Sequence, residues 1–421
     1  MNLARIAWAS LLSRRAASLL TLFSIAISVA LLISVERLKQ GAEEGFTGAI
    51  SQTDLIVGGR TGPLNLLLYT VFNLGTASTQ VGIETFDKYK AHPSVDWVIP
   101  ISLGDGHRGF RVVATDASFK EHYRFKKDRQ IELKDGVWSA GIWDVVLGGD
   151  VARSLGYKLG DKVVLAHGVT SGEGILNHDD KPFTVVGIME PTGTALDQSL
   201  YITLEGMEGI HVDWKDGAMP QPGQEIAAAS LKMEDLRPHN ITAFFLRTKT
   251  RIETLRLQRE INTDTAEPLL AIIPGVALGE LWRSLGHVES ALRGISWLVL
   301  ITGLCTLIVA LLTSLGARRR EMAILRAVGA GPAHIMALLG LEAVGLVGLG
   351  ALLGYVLQAA GFWALGLYLK AEYGVVLSDA IFSVGQVKLF AGALILGLVA
   401  GLIPAISAFR MSVRDGLRPP A

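Results

Sequence analysis

Long apolar runs without charge constrain this chain more than any other feature. Residues 16–35, 295–317 and 389–409 contain no Asp, Glu, Lys or Arg, and 335–369 contains only Glu342. A helix needs about 20 apolar residues to cross the hydrocarbon core of a bilayer. Half of the chain is hydrophobic and 19% is charged, which is typical of a membrane protein. We therefore predict an α-helical membrane protein with four transmembrane helices, the third of them tilted or extended beyond the bilayer.

The basic residues beside these spans predict the orientation. Residues 1–15, 318–334 and 410–421 each carry an excess of arginine over acidic residues, whereas 370–388 is balanced. Short loops rich in Lys and Arg face the cytoplasm. Both termini are therefore expected in the cytoplasm, with 370–388 as a short outer loop. The mixture of apolar and basic residues in 1–15 predicts an amphipathic elbow helix at the cytoplasmic surface rather than a cleaved signal peptide.

This topology leaves a large insertion between the first two helices, on the outer side of the membrane. Short runs rich in β-branched residues recur through it, at 54–57, 110–114, 144–147, 162–165, 183–187 and 200–203. Such runs predict strands, and helical patterns are expected at 151–155 and from Glu234 onward. We predict a large α+β domain over 36–277.

An apolar seam follows, over 278–294. Its residues are spaced alternately three and four apart, which is the spacing of a heptad repeat. One interpretation is an amphipathic helix that packs on its own domain; the other is a stalk that begins near Pro274 and is continuous with the second membrane helix. The seam consists of Leu278, Leu281, Leu285, Val288 and Leu292.

Several chemistries have no signature in the sequence. The chain contains no P-loop motif, no H-E-x-x-H and no G-x-S-x-G, so it is not expected to be an enzyme. Its 39 basic and 39 acidic residues balance, which gives no reason to expect nucleic-acid binding. The single cysteine, Cys305, lies in an apolar run and permits neither an internal disulfide nor a cysteine metal site.

Two features of the membrane segments have alternative interpretations. Gly350 with Gly354 and Gly397 with Gly401 are spaced four apart, which allows close helix contacts either within the chain or in self-association. Glu342 is costly in lipid and suggests a functional role, but it lies near the cytoplasmic end of its span, where hydration or an arginine partner is equally compatible.

Histidines and carboxylates concentrate in the outer domain. They are of the type that zinc and other borderline divalent ions accept, although their spacing matches no metal motif. Surface or capping roles are the alternative. The candidate metal ligands are His167, His178, Asp179, Asp180 and His211.

Several motifs together resemble one family. R-x-x-W-x-x-L-L-x-x-R at 5–15, T-D-L-I-V-G at 53–58, V-L-G-G-D-V-A at 146–152 and R-E-x-A-I-L-R-A-x-G-A at 320–330 are similar to FtsX-like permeases with a MacB-like periplasmic core. These permeases are the membrane subunits of type VII ABC transporters. The tail of the chain departs from the family pattern, with Gly416 where proline is frequent.

The resemblance implies a dimeric permease in the bacterial inner membrane, paired with a second copy or a sibling. It would recruit a dimeric cytosolic ATPase, which binds the ATP and Mg²⁺, and would pass ATPase motion to the periplasm by mechanotransmission. Contacts to the ATPase are expected in 318–334. The residues expected to make them are Arg318, Arg319, Arg320, Glu321, Ile324, Leu325, Arg326 and Val328.

The resemblance leaves the cargo open. The stretch 167–183, with 211–214 downstream, resembles a subgroup of these permeases linked to metal, especially zinc, homeostasis. The alternative function is an ATPase-driven signal relay to a periplasmic partner such as a cell-wall hydrolase, as in simpler members of the family.

Overall fold

A computed structural model describes residues 15–168, 177–214, 226–317, 329–373 and 384–410, together with residues 324 and 327. Two compact units are present. One comprises 1–42, 285–368 and 377–421, and the other comprises 43–284 and 369–376. They are called the membrane unit and the outer unit below.

Long helices supply the membrane unit, although the ends of three of them belong to the outer unit. Apart from α1 (Arg15–Ala49), they lie in the second half of the chain: α8 (Pro274–Ala317), α9 (Pro332–Tyr373) and α10 (Val384–Arg410). Helix α8 begins at Pro274, as predicted, and runs without interruption through the seam and the second apolar run.

Three of these helices are long and apolar enough to cross a membrane, over Arg15–Leu38, Pro274–Thr313 and Ala333–Gly366. The prediction of four spans is therefore confirmed for three only. The fourth predicted span, at 389–409, falls in α10, where the described side chains give an apolar stretch over Phe390–Pro404.

Glycines let the helices of the membrane unit approach closely. A Cβ on Gly354 would lie 2.5 Å from the Ala26 carbonyl oxygen, and one on Gly397 would lie 2.5 Å from Val347. Gly350 and Gly401 are equally crowded, by Ile25 and Ala343. Of the two interpretations of the spaced glycines, packing within the chain therefore has direct support.

The outer unit is α+β, as predicted. Its helices are α2 (Pro63–Val71), α3 (Ile83–Lys90), α4 (Ala117–His122), α5 (Gly149–Leu155), α6 (Leu204–His211) and α7 (Arg251–Thr263). Single 3-10 turns occur at Ala195–Gln198, Ala228–Ser230 and Met233–Asp235. The prediction of a helix from Glu234 onward is wrong, because a 3-10 turn at Met233–Asp235 is followed by strands at Asn240–Ile241 and Ala243–Thr248.

The strands in chain order are β1 (Leu55–Gly59), β2 (Val81–Gly82), β3 (Val95–His107), β4 (Phe110–Thr115), β5 (Leu133–Gly136), β6 (Asp144–Leu147), β7 (Lys162–Val163), β8 (Ala166–His167), β9 (Phe183–Met189), β10 (Ser199–Thr203), β11 (Asn240–Ile241), β12 (Ala243–Thr248) and β13 (Leu269–Ile272). The described residues form a large mixed sheet in the order β13-β1-β12-β3-β4-β10-β6-β9-β5, with β7 on β9 and β8 on β3, and a small sheet of β2 and β11.

Strand β3 joins the two halves of the large sheet. Its first part pairs with β12 as far as Ile101, and its second part pairs with β4 and β8. Apolar side chains from both faces of the sheet are buried, including Leu55, Val57, Phe244 and Ile56. The sheet therefore holds the end of β3 in a fixed position beneath the surface of the outer unit.

Candidate metal centre

Asp105 is presented by an irregularity in β3. The pairing of β3 with β4 shifts register between Leu103 and Gly106, so Gly104 and Asp105 have no regular partners on β4. A bulge of this kind redirects a side chain and is frequent beside functional sites. Asp105 is fully buried, with 0% of its surface exposed.

Two histidines reach Asp105 from the short segment that follows β7. His167 on β8 is the cross-strand partner of Asp105, which brings their side chains to one face. His178 lies beside the same strand because its N–H donates to the Leu165 carbonyl, at 2.9 Å. The His178 side chain is fully buried, whereas that of His167 is about half exposed.

The third histidine, His211, comes from the last residue of α6. Its Nδ1 lies 2.9 Å from the Met207 carbonyl oxygen, one helical turn earlier. A carbonyl only accepts, so Nδ1 carries the proton and Nε2 presents its lone pair to the cluster. A hydrogen bond on the outer nitrogen is the arrangement that orients metal-binding imidazoles.

The four side chains meet at one point. One ligand atom from each of Asp105, His167, His178 and His211 lies within 4.8 Å of all the others. The shortest separations are 3.3 Å from His211 Nε2 to His167 Nδ1, and 3.4 Å from His178 Nε2 to Asp105 Oδ2. His167 Nδ1 is 3.5 Å from Asp105 Oδ1, and His211 Nε2 is 3.6 Å from Asp105 Oδ2.

These separations fit a tetrahedral ion. With Zn–N and Zn–O bonds of about 2.0–2.1 Å, tetrahedral ligands lie roughly 3.3 Å apart. The contacts of 3.3–3.6 Å that Asp105 makes with the three imidazoles, and His167 with His211, are close to that value and longer than good hydrogen bonds. The complete set of four ligand atoms lies within 4.8 Å, so a small cation would draw the remaining pairs closer together.

The polar atoms of the cluster are poorly satisfied. Among the described residues, neither carboxylate oxygen of Asp105 and neither ring nitrogen of His178 has a hydrogen-bond partner. A buried carboxylate without donors is costly. A divalent ion bound between them would satisfy both Asp105 and His178. The imidazole nitrogens do not hydrogen-bond to the Asp105 carboxylate in their present positions.

Trp214 packs against all three imidazoles. Its ring centroid lies 4.5 Å from that of His178, 5.3 Å from that of His167 and 5.8 Å from that of His211. Burial lowers the pKa of His211, an effect that the charge of Asp105 partly offsets. The His211 imidazole is therefore neutral near pH 7, which is the form that binds metals.

The other acidic residues considered from the sequence lie outside the cluster. Asp179 is exposed. Asp180 accepts a hydrogen bond from Lys181, at 2.7 Å, and the nearby Asp213 accepts two from the same ammonium group, at 2.8 Å each. The structure thus brings together His167, His178 and His211 of the predicted ligands and replaces the predicted aspartates by Asp105.

Asp105 was not predicted as a ligand because it lies 62 or more positions from the three histidines of the cluster and in no motif. Two glycines flank it, and an isolated acid between glycines within a β-branched segment indicates a bulge. That signal would have added Asp105 to the candidates. The sequence carries no sign that a bulge at this position would face His167.

The remaining predicted residues are placed as follows. Of the coupling residues, Arg318, Arg319, Arg320, Glu321, Leu325, Arg326 and Val328 lie outside the described residues, and Ile324 is 52% exposed. In the seam, Leu278 is buried and Leu281 partly buried, whereas Val288 and Leu292 are exposed. The Leu285 side chain is not among the described ones. Glu342 is buried within α9.

Two family models match the chain. The MacB-like periplasmic core domain matches residues 18–235, just over half of the chain, and the FtsX-like permease C-terminal domain matches residues 293–414. The chain belongs to the MacB-like permease family. The apolar helices and the MacB-like periplasmic core together indicate an inner-membrane protein.

Two curated relatives align with 98% of this MacB-like permease. A probable export ATP-binding/permease protein MacB of Pseudomonas entomophila is 23% identical, and a macrolide export ATP-binding/permease protein MacB of Nitrobacter winogradskyi is 27% identical. The alignments cover 58% and 60% of those relatives, so the chain spans about three fifths of their length and corresponds to their permease part.

Two solved structures were also found. The periplasmic region of MacB from Actinobacillus actinomycetemcomitans is 9% identical and covers 55% of this chain and 94% of its own, with a TM-score of 0.33. The extracellular domain of the noncanonic ABC-type transporter YknZ from Gram-positive bacteria is 10% identical and covers 52% of this chain and 98% of its own, with a TM-score of 0.29.

Proposed function

We propose that this MacB-like permease is the membrane subunit of an ABC transporter and that its outer unit binds one divalent metal ion of the zinc class. The observation that carries the metal assignment is the fully buried Asp105, whose carboxylate faces three imidazoles without a hydrogen-bond donor of its own among the described residues.

Zinc fits the donor set better than other common ions. Three imidazoles and one carboxylate at tetrahedral spacing are typical zinc ligands, whereas Mg²⁺ and Ca²⁺ prefer six or more oxygen ligands. Cu⁺ prefers thiolate and thioether sulfur, which the cluster lacks. Four protein ligands fill the tetrahedron, so the site is suited to binding an ion rather than to activating water.

Zinc titration of the full chain in lipid nanodiscs tests the metal assignment. We expect one Zn²⁺ per chain by competition with a chelating dye, and loss of binding in His178→Ala. His239→Ala is the matched control, because the side chain of His239 is 84% exposed and bonds Glu208 instead. Wild-type protein that binds no zinc above the level of His178→Ala would contradict the proposal.

The motor is proposed to be a cytosolic ATPase that docks on this permease. Support comes from the relatives, whose names combine ATP-binding with permease. The basic segment 318–334 is the proposed contact, through Glu321, Leu325 and Arg326. The exposure of the apolar Ile324 is in keeping with a docking surface.

Co-purification tests this contact. The tagged full chain, isolated from its native membrane, is expected to bring an ABC ATPase with it, whereas Leu325→Asp with Arg326→Glu is expected to lose that ATPase and its stimulated hydrolysis. The matched control is Leu255→Asp with Arg256→Glu, an exposed leucine–arginine pair on α7 of the outer unit. Equal ATPase recovery from both double variants would exclude the contact.

A further inference from the structure

We propose that the ion pair between Lys181 and Asp213 is a positioning device for the metal centre, which holds the turns of His178 and His211 together so that both imidazoles can bind one ion. This inference rests on the proposed metal binding and adds two residues that do not touch the ion.

The pair is buried and well formed. Lys181 is completely buried and the Asp213 side chain is 2% exposed. The Lys181 ammonium donates to both oxygens of Asp213, at 2.8 Å each, and to Asp180 at 2.7 Å. Asp213 also accepts from the N–H of Ile226, at 3.0 Å. Burial alone raises the pKa of Asp213, but these hydrogen bonds outweigh it and keep the pKa below its usual value.

Each partner belongs to a turn that carries a metal ligand. The Lys181 N–H donates to the His178 carbonyl, at 3.1 Å, which closes a turn from the first ligand to the lysine. At the end of α6, the Trp214 N–H donates to the His211 carbonyl, at 2.9 Å, and Asp213 lies inside that turn. The ion pair therefore ties the turn of one ligand to the turn of the other.

Stability alone explains such a pair poorly. Buried ion pairs lose so much hydration that apolar residues of similar size are often equally or more stable in their place. Outer partners of metal ligands, in contrast, typically change metal affinity by about 10- to 100-fold. Without Asp213, the buried Lys181 ammonium, three residues from His178, would keep only Asp180 among the described residues to offset its charge, so Asp213 has both a geometric and an electrostatic role.

The roles predict an order of effects on zinc affinity. In Lys181→Met with Asp213→Asn, the tie is lost but no unpaired charge remains, and the Asn carbonyl can still accept from Ile226. We expect affinity to fall about 10- to 100-fold. Asp213→Asn alone is expected to lose more, because the buried ammonium then keeps, in the part of the chain that the structure describes, only the more exposed Asp180 as a charged partner. The stability of the metal-free protein should remain near wild type in the double variant, because both members of the buried ion pair are replaced together.

Cobalt spectroscopy of the full chain in nanodiscs separates positioning from stability. Co²⁺ in a tetrahedral site absorbs strongly in the visible range, and higher-coordinate Co²⁺ absorbs weakly. We expect the strong bands in wild type and weak bands in the double variant. The matched control is Lys88→Met with Asp264→Asn, which removes an ion pair of the same unit with a 2.7 Å contact and should leave both the bands and zinc affinity unchanged.

The outcomes are distinguishable. Wild-type zinc affinity and unchanged cobalt bands in the double variant would overturn the inference and leave the metal site intact. Wild-type protein that binds neither ion would overturn both proposals. If the double variant does not fold, Asp213→Glu keeps the charge pair but displaces it by one methylene. Reduced zinc affinity in this variant supports positioning, and unchanged affinity contradicts it.

Discussion

Asp105 and Asp197 are both buried in the outer unit, with 0% and 1% of the residue exposed, but the hydrogen-bond partners of their carboxylates differ. Asp197 accepts from the N–H groups of Thr192 and Gly193, at 2.8 and 2.7 Å, and from the Thr192 hydroxyl, at 2.9 Å. Asp105 has no such donor among the described residues and faces three imidazoles.

The difference separates a structural carboxylate from a candidate ligand. Backbone N–H groups that surround Asp197 compensate its lost hydration, so its charge stabilises the turn at 192–198. The carboxylate of Asp105 is left for a partner that the protein itself does not supply. Burial alone would rank the two residues equally, whereas their hydrogen-bond partners distinguish them.

The largest expected effect is on zinc affinity in Asp105→Asn. Removal of the only charged ligand should lower affinity by more than the roughly 100-fold that an outer partner costs. The metal-free protein should be as stable as wild type or more so, because an uncompensated buried charge is removed. Zinc competition and thermal melting of the full chain measure both. A strongly destabilised apo protein would mean that Asp105 is structural, like Asp197.

The second effect is on stability, in Asp197→Asn. Loss of charge-assisted hydrogen bonds in a buried turn should cost about 2 kcal/mol of unfolding free energy. Zinc affinity should stay at the wild-type value, because Asp197 contributes no atom to the cluster. Chemical denaturation with and without zinc checks this prediction. A fall in zinc affinity comparable to that of Asp105→Asn would break the contrast between the two regions.

The smallest effect concerns a carboxylate near the surface, Asp264. The Lys88 ammonium, the Ala266 N–H and the Tyr89 hydroxyl lower the pKa of Asp264 to about 2. Since this folded-state pKa lies below the unfolded value of about 3.9, the stabilisation is complete above pH 4 and is lost as pH falls through 2. At pH 7, Asp264→Asn should therefore cost less than about 1 kcal/mol.

The pH dependence provides the check on that prediction. The difference in melting temperature between wild type and Asp264→Asn should shrink as pH falls from 4 towards 2. A difference that stays constant over this range would show that the charge of Asp264 does not contribute to stability.

The class of the fold was predictable because it depends on long local patterns. Long runs with at most one charged residue predict three of the membrane helices, and short runs rich in β-branched residues predict β1, β4, β6 and β9. Strand β3 was missed because Pro100, Gly104 and Gly106 interrupt its pattern, although tertiary pairing with β12 and β4 holds it extended.

The metal cluster was predictable only in part. Histidines attract notice in a sequence, and three of the predicted ones converge. Which aspartate completes the set depends on long-range geometry: the bulge that redirects Asp105 and the ion pair that occupies Asp213. Both aspartates can be read from the sequence, but the sequence does not indicate which of the two carboxylates pairs with a lysine in the fold.

The central claim is that four protein side chains hold one zinc ion. X-ray absorption at the zinc edge, on the full chain loaded with one equivalent in nanodiscs, tests it most directly. We expect about four nitrogen and oxygen ligands at 2.0–2.1 Å, with the outer-shell scattering of three imidazoles, and loss of this signal in Asp105→Asn. A six-coordinate oxygen shell, or the same spectrum from Asp105→Asn, would contradict it.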